Sequence, residues 1–268
     1  MSLRLVPDEL WDLVGPLLPS FTPRPQGGGT APVDERAVFT AVVFVLTSGC
    51  AWRHLPPSFG VSPATAHRRF AVWTEAGLWR RLHRAVLDEL GARGGLDWAS
   101  VIVDAASVRA KKGGALTGPN PVDRGKPGSK LHVLTDAQGI PVVVGVSAAN
   151  TNDVLALKPL VRGIPAVRSR RGPRRRRPGK LRADKAYHSA ENRAWLRGRG
   201  IAVRIARPGV ESSERLGRHR WKIERTIAWL FGYRRLTVRY ERKASHFLAF
   251  LGLAAALTGY KQLAKLTT

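Results

Sequence analysis

The sequence is poor in cysteine and in acidic residues, and the first shortage excludes whole classes of site. Cys50 is the single cysteine in 268 residues, so neither an internal disulfide nor a cysteine-based zinc site can form. Only 19 residues are Asp or Glu, against 45 Lys and Arg, which leaves a net charge of +26. Because acids are so few, the position of each one along the chain is informative.

Long apolar runs are also missing. The N-terminal segment MSLRLVPDELWDL is interrupted early by acids, which excludes a signal peptide. The longest apolar run, FLAFLGLAAALTGY at 247–260, is shorter than the roughly 18 residues needed to span a bilayer and predicts a buried helix. We therefore expect a cytoplasmic, nucleoid-associated protein with no membrane partner.

The excess of positive charge predicts a polyanionic partner. Lys and Arg side chains that neutralise phosphates release counterions, which favours nucleic acid as that partner. An anionic membrane surface or a ribosomal site would satisfy the same charge, so charge alone leaves the partner open. A hydrophobic fraction of 44% and eight tryptophans predict a folded core and not a disordered basic tail.

Residues 1–98 are predicted to be entirely helical. A short helix is expected from Pro7 to Leu17, and a further one from Leu78 to Leu90. Between them, the run ERAVFTAVVFVLTSG predicts an apolar helix that Asp34 or a neighbour caps and Gly49 ends.

A helix opened by Ser62 and Pro63 carries basic residues on its predicted solvent face. With the turn and helix before it, this segment resembles a helix-turn-helix, in which Arg68 and Arg69, beside His67, would contact DNA. The alternative is a plain helical bundle with a basic wet face.

Residues 99–268 predict a mixed α/β sheet flanked by helices. SVIVDAASVRA at 100–110 is a β-branched run typical of a buried strand, and KLHVLTDAQGIPVVVGVSAA predicts a hairpin that turns at Asp136 to Gly139. The remaining expected elements are a helix from Asn152 to Val161, strands in KLRAD and IAVRIARP, and helices at about 189–200, 213–231 and 243–263.

The run RSRRGPRRRRPG at 168–179 is too basic to enter a core and is predicted to be an exposed loop. Arg174 and Arg175 in this loop are candidates for DNA contact. The alternative is a tether with no defined role.

Two acids stand where short strands are expected to deliver them. Asp104 follows VIV and Asp184 follows KLRA, and adjacent strand ends are where sites assemble in α/β sheets. Two such carboxylates suit Mg²⁺ or Mn²⁺, and two ions would serve phosphodiester displacement. Glu224, on the helix RWKIERTIAWLFGYRRL, is the candidate third acid. The alternatives are strand-end or capping roles for the aspartates and an ion pair with Arg220 for the glutamate.

Several stretches of the chain resemble DDE transposases of the IS4/IS5 insertion-sequence group. They are VDAASVRA, KLHVLTDAQGIPV, LRADKAYHS, RWKIERTIAWLFGYRRLTVRYE and, in the N-terminal part, GCAWRHLPPSFG with HRRFAVWTEAGLW. The resemblance implies a ribonuclease-H-like sheet in which Asp104, Asp184 and Glu224 hold two Mg²⁺ ions. Arg220 matches the family's arginine four residues before the glutamate. Phe231 stands at the family's lysine position, for which Arg234 or Arg235 would substitute.

The resemblance also implies an activity and partners. The protein would cut double-stranded DNA at terminal inverted repeats and join the 3′ ends to target DNA, as a homodimer or higher assembly. A non-integrating nuclease and a catalytically inactive DNA-binding regulator are the alternatives. The basic residues expected at DNA are Arg68, Arg69, Lys130, Arg174, Arg175, Arg220, Arg225, Arg234 and Arg235.

Other polar or aromatic residues near these motifs favour structural roles. His132 is expected to be structural, Asp136 to form the hairpin turn, and Asp153 to favour the dipole of the helix that Asn152 caps. Trp221 and Trp229 are expected to pack and not to stack on bases.

Overall fold

The computed structural model describes residues 5–20, 33–207 and 213–266, and for residues 213–220 it describes the backbone alone. The first part is helical, as predicted. Its helices are α1 Asp8–Val14, α2 Glu35–Ser48, α3 Pro63–Glu75 and α4 Leu78–Ala92, with a 3₁₀ turn, Gly15–Leu17, after α1.

The predicted helix boundaries in this part follow from capping. The Asp34 carboxylate accepts a hydrogen bond from the Arg36 N–H at 2.9 Å, and the Ser62 hydroxyl accepts one from the Thr65 N–H at 3.2 Å. Gly49 ends α2 at φ 72°, a left-handed conformation that glycine adopts without steric cost.

The connection before α3 differs from that of a helix-turn-helix. It runs from Gly49 to Ser62 and contains two 3₁₀ turns, Trp52–His54 and Pro57–Phe59. A helix-turn-helix uses a turn of three to four residues, so the turn predicted before the helix that Ser62 and Pro63 open is wrong as the turn of such a motif. The tight turn lies after α3, where Gly77 at φ 71° leads into α4.

A sheet of seven strands forms the second part within the described residues. The strands are β1 Val101–Ala110, β2 Gly118–Pro119, β3 Pro127–Thr135, β4 Pro141–Ala148, β5 Lys180–Ala183, β6 Ala202–Ile205 and β7 Val238–Arg239. Five of them are neighbours in the order β2-β3-β1-β5-β6, and in addition β4 pairs with β3 and β7 pairs with β1. β3 and β4 form the predicted antiparallel hairpin, while β5 and β6 run parallel to β1.

Helices α5 Asp153–Arg162, α6 Ala190–Arg197, α7 Ser213–Phe231 and α8 Ala244–Ala264 accompany this sheet. The alternation of strands and helices confirms the predicted mixed α/β class. The short strands β2 and β7 were not predicted. Each has two residues, too few to leave a period-two pattern in the sequence.

α8 is longer than its apolar run suggested. It has 21 residues, and by length and composition alone it qualifies as a membrane span. In the fold, 72% of that apolar window is buried, against α4 and β4 among other elements. The prediction of a buried helix is confirmed, and its packing is that of a core helix.

The helical part and the sheet share one hydrophobic core. A single cluster of buried side chains extends from α1 through α4 and the sheet to α8. Phe70 of α3 stacks on Phe250 of α8 with ring centroids 4.5 Å apart. The helices of residues 1–98 and the sheet of residues 99–268 therefore pack around a common core. Their division into two domains stays a prediction.

Candidate active site

Asp104 lies inside β1, so the prediction that it stands at the end of a strand is wrong. The strand continues to Ala110 because AASVRA keeps its antiparallel pairing with β3 as far as Arg109 and Gly128. The half-buried Asp104 carboxylate accepts a hydrogen bond from the Ala105 N–H at 2.8 Å.

Asp184 follows β5 directly, as predicted, and its carboxylate caps a 3₁₀ turn by accepting a hydrogen bond from the Ala186 N–H at 2.8 Å. β5 pairs in parallel with β1 through Val101–Leu181 and Ile102–Arg182. Asp104 and Asp184 each stand two residues after a member of the second pair. If the register is continued to them, the two aspartates are level with each other. Side chains alternate along a strand and adjacent strands lie about 4.8 Å apart, so the two aspartates occupy neighbouring positions on one face of the sheet.

Tyr187 lies within range of the charges of both aspartates, a placement that the sequence reasoning missed. Its side chain is buried, and within the described chain its hydroxyl has no hydrogen-bond partner. Burial raises the pKa of Tyr187, and the negative charges of Asp153, Asp104 and Asp184 raise it further. The aromatic residue three positions after Asp184 in DKAYHS was the available signal. Its burial depends on α5, which packs against that turn.

Glu224 projects from α7, which contacts β1 and β3. The helix buries Ile223, Thr226 and Leu230, while Glu224 is exposed. The Thr226 hydroxyl donates a hydrogen bond to the Gly139 carbonyl at 2.5 Å, which fixes the helix against the turn of the β3–β4 hairpin.

The three predicted carboxylates do not form a ready-made cluster. Across the part of the chain with described side chains, no three His, Cys, Asp or Glu residues lie close enough to hold a metal ion. The structure brings Asp104 and Asp184 to neighbouring positions and leaves Glu224 exposed on α7. The oxygen donors of two aspartates are of the kind that Mg²⁺ or Mn²⁺ prefers, and Glu224 as a third donor stays a prediction.

Two of the basic residues predicted at DNA are engaged inside the protein. Lys130 forms an ion pair with Asp153 at 2.9 Å, and its register partner Ser107 places it on the face opposite Asp104. Arg235 is 6% exposed and pairs with Glu241 at 2.7 Å. Both side chains are used within the fold, and we do not propose DNA contacts for them.

Arg225 and Arg174 also have protein partners. Arg225 donates a hydrogen bond to the Gln138 carbonyl at 2.6 Å and lies over the rings of Trp221 and Trp229, at 4.8 and 4.5 Å. Arg174 pairs with Asp88 of α4 at 2.8 Å. Trp229 is half-buried, whereas Trp221 is 49% exposed, so the packing role predicted for both tryptophans stays a prediction.

The remaining basic candidates are more accessible. Arg68, Arg175 and Arg234 are exposed and Arg69 is half-buried. The side chain of Arg220 lies outside the described part of α7. DNA contact by this group stays a prediction.

His132 and Asp136 take up buried structural positions. His132 shares a 2.8 Å hydrogen bond with the Ser147 hydroxyl, and burial lowers the pKa of His132 to about 4, so the imidazole is neutral at pH 7. Asp136 forms the hairpin turn, as predicted. Its carboxylate accepts hydrogen bonds from the N–H groups of Gln138, Ile140 and Asp97.

Comparisons with known proteins agree with this architecture. A model described as "Putative transposase of IS4/5 family" matches residues 6–83, and one described as "Transposase DDE domain" matches residues 100–258. The "Putative transposase for insertion sequence element IS402" of Burkholderia cepacia is 48% identical over 141 residues, which are 53% of this chain and 67% of that protein. From the same organism, "Insertion element IS402 uncharacterized 16.2 kDa protein" is 41% identical over 123 residues, 45% of this chain and 84% of that protein.

A solved structure supports the fold. The piggyBac transposase in its synaptic complex with hairpin DNA aligns with 98% of this chain and 74% of its own, at a TM-score of 0.54 and 9% identity. Fold and sequence matches together define a ribonuclease-H-like enzyme of the DDE transposase class. The chain belongs to the transposase DDE domain family, within the IS4/IS5 group of insertion-sequence transposases.

Proposed function

We propose that this transposase cuts DNA at the terminal inverted repeats of its insertion sequence and joins the freed 3′ ends to target DNA. The observation that carries the proposal is the parallel pairing of β1 with β5, whose last pair, Ile102 with Arg182, stands two residues before Asp104 and two residues before Asp184. Glu224, on a helix that packs against β1, is proposed as the third carboxylate.

Asp104, Asp184 and Glu224 would hold two Mg²⁺ or Mn²⁺ ions. When bound, such ions activate an attacking oxygen and stabilise a departing one in phosphodiester displacement. Three carboxylates repel one another unless positive charge lies between them. We therefore expect the exposed Glu224 to approach the two aspartates only in the presence of the cation.

The reaction consists of two displacements at phosphorus. In the first, a water oxygen attacks the phosphorus at the end of the element, the bond to the 3′ oxygen breaks, and a 3′-hydroxyl is released. In the second, that hydroxyl attacks a target phosphodiester and displaces its 3′ oxygen. No covalent protein–DNA intermediate forms, so the protein contributes positioning and electrostatic stabilisation.

Buried groups next to the aspartates would support this positioning. The Tyr187 hydroxyl lacks a hydrogen-bond partner within the described chain and lies near both aspartates. We propose that it donates a hydrogen bond to one of these carboxylates and holds its orientation. Capping of the 3₁₀ turn by Asp184 restrains the second carboxylate at the same time.

The DNA would be held by positive charge. Arg68, Arg175 and Arg234 are exposed and are proposed to contact phosphates, together with Arg69 and Arg220. Because two element ends must be joined to one target, the active form is proposed to be a dimer or a higher assembly on DNA.

A strand-transfer assay tests this function. The full chain would be incubated with Mg²⁺, a supercoiled plasmid and a labelled duplex that carries the terminal repeat. We expect the label to be cut at the end of the repeat and to appear in the plasmid. Cutting without joining would identify a nuclease, and binding without cutting would identify a regulator. A duplex with a scrambled repeat is the control.

A further inference from the structure

Two arginines stand directly opposite each other on β5 and β6. Arg182 and Arg204 are register partners in this parallel pair, so their side chains project from the same face of the sheet. Like charges in directly opposed positions destabilise a sheet, in the same energy range in which opposite charges stabilise it. The fold therefore tolerates a repulsion here that an acidic or neutral residue on either strand would remove.

The cost falls mainly on Arg182, because Arg204 is exposed. Arg182 is half-buried, and its Nε atom is buried without a hydrogen-bond partner in the part of the chain that is described. Burial and the charge of Arg204 lower the pKa of Arg182. Arg204 donates a hydrogen bond to the Val203 carbonyl at 3.2 Å, and no carboxylate with a described side chain forms an ion pair with either arginine.

The pair lies on the face that carries the candidate catalytic aspartates. Ile102 is level with Arg182, as Asp104 is with Asp184, and residues two apart on a strand share a face. At about 3.3 Å per residue, Arg182 lies about 7 Å from Asp184 along β5. The backbone positions of the two arginines thus stand one residue pair away from those of the two aspartates.

We propose that Arg182 and Arg204 bind one phosphate of the DNA strand that enters the active site, next to the phosphate that is cut. A guanidinium binds phosphate through two parallel hydrogen bonds, and one phosphate between two guanidinium groups removes their repulsion. This inference rests on the proposed function, because it takes the strand near Asp104 and Asp184 to be DNA. Arg182 and Arg204 would form a defined site for one phosphate, in addition to the exposed arginines that are proposed to contact DNA.

DNA binding without cleavage provides the test. The full chain would bind a fluorescent terminal-repeat duplex in Ca²⁺, and affinity would be followed against salt concentration. We expect Arg182→Gln with Arg204→Gln to reduce the slope of log affinity against log salt by about 1, the value for one phosphate that the protein no longer neutralises. Arg197→Gln, an exposed arginine at the end of α6, is the matched control and should leave the slope unchanged.

Neutral phosphates locate the contact. A series of duplexes would each carry one methylphosphonate, placed in turn at every phosphate around the cut. We expect a methylphosphonate at one position adjacent to the cut to weaken binding by the wild-type chain. At that position alone, the methylphosphonate should have no effect on binding by the double variant. An unchanged salt slope, or equal sensitivity of both proteins at every position, overturns the proposal.

Thermal stability separates a binding site from a structural pair. Removal of one charge relieves the repulsion, so Arg204→Gln should raise the melting temperature of the free protein by about 1–3 °C while it weakens DNA binding. A lower melting temperature would mean that an acid of the chain neutralises the pair, and the proposal would fail. All these measurements are independent of cleavage, so a failure of the proposed function would appear separately, as the absence of cut or joined DNA.

Discussion

Arg235 and Glu241 form a buried ion pair, 2.7 Å long, within the segment that contains strand β7. Their side chains are 7% and 5% exposed, and the Arg235 guanidinium also donates a hydrogen bond to the Cys50 carbonyl at 2.8 Å. Cys50 lies just beyond the C-terminal end of α2. A single arginine therefore fixes the RRLTVRYE segment against the N-terminal helices.

We expect Arg235→Ala to destabilise the protein by about 3–5 kcal/mol, because Glu241 would remain buried without a counter-charge. Urea unfolding followed by circular dichroism measures this loss. Arg235→Met combined with Glu241→Leu should recover most of it. The matched control is Lys126→Ala, which removes a surface pair with Asp123 and should cost less than about 1 kcal/mol. If Arg235→Ala and Lys126→Ala lowered the free energy of unfolding by similar amounts, this account of Arg235 would be contradicted.

Asp136 makes stability depend on pH. Burial raises the pKa of this carboxyl from its ordinary 3.8 to about 6, although three backbone N–H groups oppose the shift. The buried group therefore favours the folded state most below pH 4, and this contribution is lost as the pH rises towards 6 and beyond. A shift of about two units corresponds to about 3 kcal/mol.

The comparison with Asp136→Asn isolates that contribution. The free energies of unfolding of wild type and variant would be measured between pH 4 and pH 7. The wild-type value minus the variant value should fall by about 2.4 kcal/mol over this range, because the unfolded carboxyl is already partly ionised at pH 4. A difference that is constant with pH would show that the carboxyl titrates as it does in the unfolded chain.

The basic loop 168–179 lies at the end of β5 opposite to Asp184. It leads into the first residue of β5, and the Gly179 N–H donates a hydrogen bond to the Trp98 carbonyl, just before β1. The four residues of β5 separate the loop from Asp184 by about 13 Å. DNA held by the loop would therefore lie away from the bond that is cut.

We expect the loop to contribute affinity and not catalysis. Arg170, Arg171, Arg176 and Arg177 are exposed, and substitution of all four by Gln should lower the salt slope of DNA binding by up to about 0.9 for each phosphate that is no longer neutralised. The rate of cleavage at saturating DNA should stay near that of wild type. Arg174→Gln is the control, because Arg174 already pairs with Asp88, and its slope should not change. A slower saturated rate in the four-residue variant would place the loop at the active site.

Local patterns predicted the fold more accurately than they predicted the site. Asp34, Ser62 and Asn152 cap the helices that follow them, as expected, because capping depends on residues next to each other in the chain. The hairpin turn at Asp136 was also local and was predicted. In contrast, the end of β1 was misplaced, because its length depends on pairing with β3 and not on the residue at Asp104.

The site residues divide in the same way. Asp184 at the end of β5 could be predicted from the sequence, since the strand is short and ends before it. The internal partners of Lys130 and Arg235 could not, since Asp153 and Glu241 meet them only after packing. The face shared by Asp104, Asp184, Arg182 and Arg204 requires the strand register, which no periodicity in one segment reveals.

The most direct test of the central claim is cleavage of terminal-repeat DNA in Mg²⁺ and in Mn²⁺ by Asp184→Asn and by Glu224→Gln, beside Asp123→Asn as a surface control. We predict that both active-site variants remain folded and bind the duplex but cut it at least about 100-fold more slowly, while the control cuts at the wild-type rate. Cleavage at the wild-type rate by either active-site variant would contradict the assignment of Asp104, Asp184 and Glu224 as the metal-binding carboxylates.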